Sequence, residues 1–218
     1  MPRPSRGSCG ASLTGVTKKI SLSASERDEQ ERAAWRAQAQ AEFKPEALVF
    51  VDESGCNLAL TPLYGWAPRG ERARAQAPRN RGPNTTVLAA LTAEGVLAAM
   101  RIEGPTNTEV FLTFLDQVLC PALSPGRIVV MDQLNVHKAA AVRPRIEACG
   151  CRLVFLPSYS PDFNPIEEAF SKLKTYLRRQ KARTRERLGQ AIDAGLQRLT
   201  AQDARGWFRH CGFAVASQ

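Results

Sequence analysis

Two short apolar runs in the sequence each end in an aspartate, and this repeated pattern limits the folds open to the chain. Residues 48–51 precede Asp52, and residues 128–131 precede Asp132. A continuous apolar run of this length is typical of a strand buried on both faces. Because ligand sites in open α/β sheets lie at the carboxyl ends of strands, we expect both aspartates to contribute to one site.

The other patterns predict a mixed α/β domain in the order β-β-β-α-β-α-β-α, with antiparallel hairpins first and parallel strands afterwards. Strands are predicted at residues 47–51, 85–91, 96–102, 127–131 and 152–156. Helices are predicted at residues 23–43, 108–119, 137–148, 164–180 and 185–199. In such a sheet, Asp52 and Asp132 would end neighbouring strands.

A third carboxylate, Glu167, lies in the first turn of the predicted helix that opens at Asn164 and Pro165. Each carboxylate has a structural alternative, since the two aspartates suit Asx turns and the glutamate suits a cap of its own helix. Metal-dependent phosphoryl transfer instead requires several acidic oxygens around a divalent cation. Local sequence leaves both interpretations open.

The charge balance favours a polyanionic partner. The chain has 218 residues and a formal net charge of +9, which points to nucleic acid ahead of an acidic membrane surface. Its apolar runs are shorter than the roughly 20 residues of a membrane span, and the first twenty residues lack the apolar core of a signal peptide. We therefore expect a cytoplasmic protein with no membrane partner. The six scattered cysteines are expected to be reduced thiols.

Basic residues that are candidates for DNA-phosphate contacts form two clusters. The first, between the first two predicted strands, comprises Arg69, Arg72, Arg74, Arg79 and Arg81. The second, after Glu167, comprises Lys172, Lys174, Arg178, Arg179 and Lys181. A solvated helix face is the alternative interpretation of these charges. Trp66 is expected to pack beneath its loop rather than to stack on a base.

Four motifs together resemble a known family. They are DESG at 52–55, YGWAPRG at 64–70, MDQLNVHK at 131–138 and LPSYSPDFNPIE at 156–167. The sequence resembles, over about residues 18–215, the catalytic domain of mariner-type transposases and their bacterial insertion-sequence relatives, the DDE superfamily endonucleases. The resemblance implies a ribonuclease H-like mixed sheet flanked by helices, with Asp52, Asp132 and Glu167 as the catalytic and metal-binding triad.

The same resemblance implies three segments: a flexible basic lead-in and linker helix at 1–45, the catalytic domain at 46–182 and a helical extension at 183–218. The expected activity is metal-dependent cleavage and strand transfer of double-stranded DNA at insertion-sequence ends. Mg²⁺ suits an all-oxygen site and Mn²⁺ is its expected substitute, with two ions about 4 Å apart. Because two element ends are brought together during transposition, the resemblance also implies a homodimer. The protein is expected to be associated with the bacterial nucleoid.

Two positions depart from the family pattern, and the role of a third is open. Gln133 stands where asparagine is common, so the support of Asp132 is expected to differ. Ser158 stands where proline is usual. His137 matches the family histidine, for which a polar contact at the site and a structural hydrogen bond are both open.

Other functions compete with an active transposase. Family members usually carry helix-turn-helix domains ahead of the catalytic one, so we expect either a truncated copy or the catalytic half of a split enzyme with an upstream-encoded partner. The main alternative is an inactive remnant that only binds DNA or a partner protein. Another ribonuclease H-like nuclease, acting on RNA hybrids, is also open. A glycosidase needs two carboxylates and leaves the third unexplained.

Overall fold

The computed structural model describes residues 25–215 and contains one mixed sheet. Its strands are β1 (Leu48–Cys56), β2 (Thr85–Thr92), β3 (Gly95–Glu103), β4 (Ile128–Met131) and β5 (Arg152–Phe155). The sheet has the order β3-β2-β1-β4-β5, with antiparallel pairing among β1, β2 and β3 and parallel pairing among β1, β4 and β5. Strands β2 to β5 coincide closely with the predicted ones, whereas β1 continues five residues beyond its predicted end at Val51.

Seven α-helices flank the sheet within the described residues. They are α1 (Glu29–Glu42), α2 (Thr108–Phe114), α3 (Cys120–Ala122), α4 (Val142–Ala148), α5 (Pro165–Gln180), α6 (Arg185–Leu196) and α7 (Ala201–His210). A π-helical turn at Leu115–Leu119 joins α2 to α3. None of the helices within residues 25–215 has the length and apolar content required to cross a membrane.

Alternation along β1 gives the domain two apolar cores, one on each face of the sheet. Leu48 and Phe50 face the core that is completed by α1, α5, α6 and α7. Val49 and Val51 face the other core, which is completed by α2, its π-helical turn and α4. Because helices cover both faces, the paired segments 48–51 of β1 and Ile128–Met131 of β4 consist of buried apolar residues.

The C-terminal helices belong to the same core as the sheet. Phe208 of α7 contacts Phe50 edge-to-face with ring centroids 5.4 Å apart, and Leu188 and Ile192 of α6 are buried in the same cluster. The predicted division of the chain at residues 45 and 182 stays a prediction. The cysteines in the described part of the chain have free thiols, while Cys9 lies outside that part.

Two predicted helices begin later in the structure, and one observed helix was not predicted. The helix predicted from Ser23 begins at Glu29, because Asp28 accepts hydrogen bonds from two N–H groups of its first turn; Ser23 itself lies outside the described residues. The helix predicted from His137 begins only at Val142, after a series of turns. Helix α7 was not predicted, although Thr200 and Asp203 form a capping box at its start.

Candidate active site

Asp52 lies within β1, so the prediction that it ends its strand is wrong. Pairing of β1 with β4 stops at Val51 and Met131, but pairing with β2 continues to Cys56. The antiparallel partner thus extends the strand beyond the point where its parallel neighbour ends. Asp132 directly follows β4, as predicted, and the end of that strand leaves room for a site beside Asp52.

Asp52 is a buried carboxylate that is held on both oxygens. One oxygen accepts the backbone N–H of Glu53 at 2.7 Å, and the other accepts the side-chain amide of Asn164 at 2.8 Å. Only 6% of the residue is exposed. Burial raises the pKa of Asp52 to about 7; the Glu53 N–H opposes this shift, and the charges of Asp132 and Glu167 add to it.

Asp132 is held on one oxygen by the loop that follows β4. Its Oδ1 accepts the backbone N–H of Leu134 at 3.0 Å and lies 2.6 Å from Nδ1 of the fully buried His137. Burial raises the pKa of Asp132, but the contacts with His137 and Leu134 outweigh burial, so the pKa is lowered overall. These local hydrogen bonds also explain why residues 137–141 form turns instead of the start of the predicted helix.

Glu167 lies in the first turn of α5, at the side of the sheet where Asn164 meets Asp52. The N-cap side chain, Asn164, makes no hydrogen bond to the first turn of α5 and instead donates to Asp52. Sequence reasoning placed Asn164 correctly as the N-cap but missed this contact. Burial raises the pKa of Glu167, Lys174 opposes the shift, and Asp132 and Glu168 add to it.

The three predicted carboxylates line one cleft of about 370 Å³. The loop 156–161, at the carboxyl end of β5, forms the other wall. The fold therefore brings together Asp52, Asp132 and Glu167, which are widely separated in the sequence. Within the part of the chain that the structure describes, no cluster of three or more His, Cys, Asp or Glu side chains is closed tightly enough to hold a metal ion.

The donor set nevertheless fits a hard divalent cation. All three side chains offer oxygen, which Mg²⁺ and Mn²⁺ prefer. Burial raises the pKa of Asp52 and of Glu167, and neighbouring negative charges add to both shifts, so a bound cation would relieve the repulsion. The side-chain oxygen of Asn164 is also buried, and none of the described residues gives it a hydrogen bond.

The two departures from the family pattern lie at the edge of this cleft. Gln133 donates its amide to the carbonyl of Leu156 at 3.1 Å, so it ties the end of β4 to the end of β5 and does not support Asp132 directly. Ser158 precedes Tyr159, an exposed residue with a left-handed φ of 53°. A non-glycine residue in that conformation costs about 1 to 3 kcal/mol.

A protein-family sequence model, described as DDE superfamily endonuclease, matches residues 47–189. The chain belongs to the DDE superfamily endonucleases. This match contains all three carboxylates of the cleft. A search of curated proteins gave no significant match.

Several solved structures of Mos1 transposase are similar to this endonuclease. A pre-cleavage Mos1 transpososome and a Mos1 mariner paired-end complex with Mn both align over 91% of this chain and 64% of theirs, with 18% identity and a TM-score of 0.74. The Mos1 mariner catalytic domain aligns over 84% and 85%, with 13% identity and a TM-score of 0.57. The ribonuclease H-like fold is thus confirmed, and the chain spans 64% of the longer relatives.

The first basic cluster of the endonuclease lies on an exposed arm, which we define as residues 57–84. The arm joins β1 to β2 and contains neither helix nor strand. Its five predicted DNA-contacting arginines are exposed: Arg69, Arg72, Arg74, Arg79 and Arg81. Trp66 is fully exposed on the same arm, so the prediction that it packs beneath the loop is wrong.

The second basic cluster consists of four residues of α5 and of Lys181, which directly follows the helix. Lys174 acts on Glu167 through its charge, whereas Lys172 is paired with Asp203 of α7 at 2.5 Å. Arg178 is partly buried, and Arg179 and Lys181 are exposed. Lys174 therefore lies near the cleft, and Lys172 has a carboxylate partner already.

Arg183 anchors the arm to the segment between α5 and α6. Its Nη1 donates to the carbonyls of Leu58 at 2.7 Å and Leu60 at 3.0 Å. Its Nη2 donates to the hydroxyl of Thr61 at 3.0 Å and reaches the carbonyl of Gln76 at 3.5 Å. One guanidinium thus links the first residues of the arm to Gln76, in its second half.

We expect Arg183→Ala to speed tryptic cleavage of the arm by about tenfold or more, because each lost hydrogen bond to a charged group contributes about 1.5 to 3 kcal/mol. The measurement is limited proteolysis with the cut sites identified by mass spectrometry. Arg187→Ala, on the exposed face of α6, is the control and should leave the rate unchanged. Equal cleavage of the parent and Arg183→Ala would show that the arm has another anchor.

Proposed function

We propose that this endonuclease is the catalytic part of a DNA transposase, which cleaves strands at insertion-sequence ends and joins the freed 3′-hydroxyl to target DNA. The observation that carries the proposal is that Asp52, Asp132 and Glu167 line one cleft in a DDE endonuclease fold. The similar Mos1 structures include a pre-cleavage transpososome and a strand transfer complex, which supports both reaction steps.

In this proposal, Asp52, Asp132 and Glu167 hold two Mg²⁺ or Mn²⁺ ions. Similar Mos1 paired-end complexes were solved with Mg and with Mn. Bound ions would activate the attacking oxygen and stabilise the leaving oxygen. The protein itself orients the ligands: Asn164 holds Asp52, and the loop after β4 holds Asp132. This chemistry requires no nucleophile from a side chain.

The proposed substrate is double-stranded DNA, bound through phosphates by the arm and by α5. The proposed contacts are Arg69, Arg72, Arg74, Arg79, Arg81, Lys172, Lys174, Arg178, Arg179 and Lys181. Exposed arginines on the arm lie beside an exposed tryptophan, a combination that suits a nucleic-acid backbone with an adjacent base. A homodimer, an upstream-encoded helix-turn-helix subunit and association with the nucleoid belong to the same proposal.

The test is nicking of supercoiled plasmid by the full chain, which requires no knowledge of the element ends. We expect open-circular product with Mn²⁺ or Mg²⁺ and none with EDTA. Glu167→Gln should slow nicking by at least about 100-fold, because it removes a charged metal ligand. Glu168→Gln is the matched control, since the Glu168 carboxylate lies on the side of α5 that approaches His210 at 3.9 Å.

Plasmid that stays supercoiled with the parent chain at every metal concentration would reject the catalytic proposal. Plasmid binding without nicking would then favour the second candidate, an inactive remnant that acts through its basic arm. The exposed arginines on the arm are the observation that supports this alternative, because they bind phosphate whether or not the cleft is active.

A further inference from the structure

His137 lies between two carboxylates that come from neighbouring strands. Its Nδ1 is 2.6 Å from Oδ1 of Asp132, and its Nε2 is 3.7 Å from Oε2 of Glu53. The imidazole is fully buried and packs against the ring of Phe111, with centroids 4.6 Å apart. The buried ring of His137 therefore has an aromatic neighbour and a carboxylate near each of its two nitrogens.

The side of His137 that faces Glu53 is polar and incompletely paired. Both Nε2 of His137 and Oε2 of Glu53 are buried and lack a hydrogen-bond partner within residues 25–215. A distance of 3.7 Å exceeds that of a hydrogen bond, so a shift of under about 1 Å would form one. Because unpaired buried polar groups are costly, the two atoms are each other's natural partners.

The sheet explains why these residues meet. Successive side chains on a strand point to opposite faces, so Asp52 points toward the cleft and Glu53 toward the core that contains His137. β1 therefore contributes two carboxylates: Asp52 lines the cleft, and Glu53 lies on the opposite face of the sheet beside His137. His137 connects the second of them to Asp132, which follows the neighbouring strand β4.

We propose that His137 is a positioning residue that fixes the carboxylate of Asp132 for metal binding and is itself held by Glu53. This inference rests on the proposed function, which makes Asp132 a metal ligand. The Asp132 Oδ1 takes both the Leu134 N–H and the His137 contact, while Oδ2 takes part in neither. Fixing one oxygen in this way sets the direction of the other.

The test measures Mn²⁺ affinity, from the electron paramagnetic resonance signal of free Mn²⁺, and does not depend on cleavage. His137→Leu should weaken binding by about 10- to 100-fold, the usual effect of losing a group that orients a metal ligand. His137→Asn should stay within about fivefold of the parent, because its amide nitrogen takes the place of Nδ1. Phe111→Leu, which loses the ring contact only, should leave the affinity unchanged.

Each outcome decides a different point. A parent that binds Mn²⁺ together with a His137→Leu variant of equal affinity would overturn the positioning role alone and leave the proposed function intact. A parent that binds no Mn²⁺ would overturn both. If His137→Leu fails to fold, Glu53→Ala and His137→Asn provide the test. Mn²⁺ binding about tenfold weaker in Glu53→Ala, together with near-parent affinity in His137→Asn, would support the proposal. Parent-like Mn²⁺ binding by Glu53→Ala would overturn the part played by Glu53.

Discussion

Replacing Asp52 with asparagine is expected to make the metal-free protein more stable while reducing DNA nicking by about 1,000-fold or more. The buried Asp52 carboxylate lies near two other carboxylates, and burial first of all raises its pKa to about 7. Asparagine keeps the size of the side chain and removes the charge. Rotation of the Asn164 amide would let its unpaired oxygen accept a hydrogen bond from the new side chain.

The gain in stability should depend on pH. The folded-state pKa of Asp52, about 7, lies above the unfolded value of about 3.9. The folded parent therefore binds the proton more tightly, and it loses stability as the pH rises from about 4 to about 7. We expect Asp52→Asn to raise the free energy of unfolding by about 1 to 3 kcal/mol at pH 8 and to have little effect near pH 4.

Urea unfolding in EDTA at the two pH values measures this difference. Asp116→Asn is the control, because Asp116 forms an exposed ion pair with Arg145 and its replacement should change stability by less than about 1 kcal/mol. If Asp52→Asn has a lower free energy of unfolding than the parent at pH 8, the burial of the charged Asp52 carboxylate does not destabilise the fold. Nicking at the parent rate would remove Asp52 from the proposed metal site.

The second large effect is expected at the ion pair that fastens α1 to the segment ahead of α5. Arg32 is 4% exposed, and its two terminal nitrogens bind the two oxygens of Asp162 at 3.0 and 2.7 Å. The guanidinium also lies over the ring of Phe163, 4.1 Å from its centroid. Asp162→Ala leaves this buried cation with Glu29 as its remaining partner, so we expect a loss of about 2 to 3 kcal/mol.

A double-mutant cycle with Arg32→Met separates this pair from general packing. Because the double variant contains no unpaired buried cation, it should be more stable than Asp162→Ala alone. Strict additivity of the two single effects would show that Arg32 and Asp162 are not coupled. Chemical unfolding at pH 7 provides all four free energies.

The same pair should weaken in acid. Partial burial raises the pKa of Asp162, but the hydrogen bond and charge of Arg32 outweigh it and lower the pKa below its ordinary value. Its contribution is therefore present above about pH 4 and is lost as the pH falls through the folded-state pKa. The difference between the parent and Asp162→Ala should accordingly shrink at low pH.

Strong local patterns predicted the sheet, whereas the grouping of Glu167 with the two aspartates in one site followed from the resemblance to a known family. Apolar runs marked the buried strands, and the motif around Asn164 and Pro165 marked the start of α5. The prediction for Asp52 was wrong in one respect, since the length of β1 depends on its pairing with β2, a partner distant in sequence. Trp66 was predicted to be covered, and nothing in the described part of the chain covers it.

Local sequence patterns could not predict the hydrogen bonds that support the site. Asn164 has the sequence context of a helix cap, and only the approach of α5 to β1 turns its amide toward Asp52. His137 and Glu53 meet because two neighbouring strands bring them together across the sheet. Contacts of this kind depend on tertiary packing, which overrides the local preference of each residue.

The continuation of β1 beyond Asp52 gives the three carboxylates unequal freedom. Asp52 belongs to a ladder that pairs it with Ala89 and extends to Cys56, so its backbone cannot move without breaking the sheet. Asp132 follows a strand that has already ended, and Glu167 lies in the first turn of a helix. Strand pairing therefore holds Asp52 through its backbone, whereas Asp132 is held through its side chain by Leu134 and His137, and the position of Glu167 depends on the packing of α5.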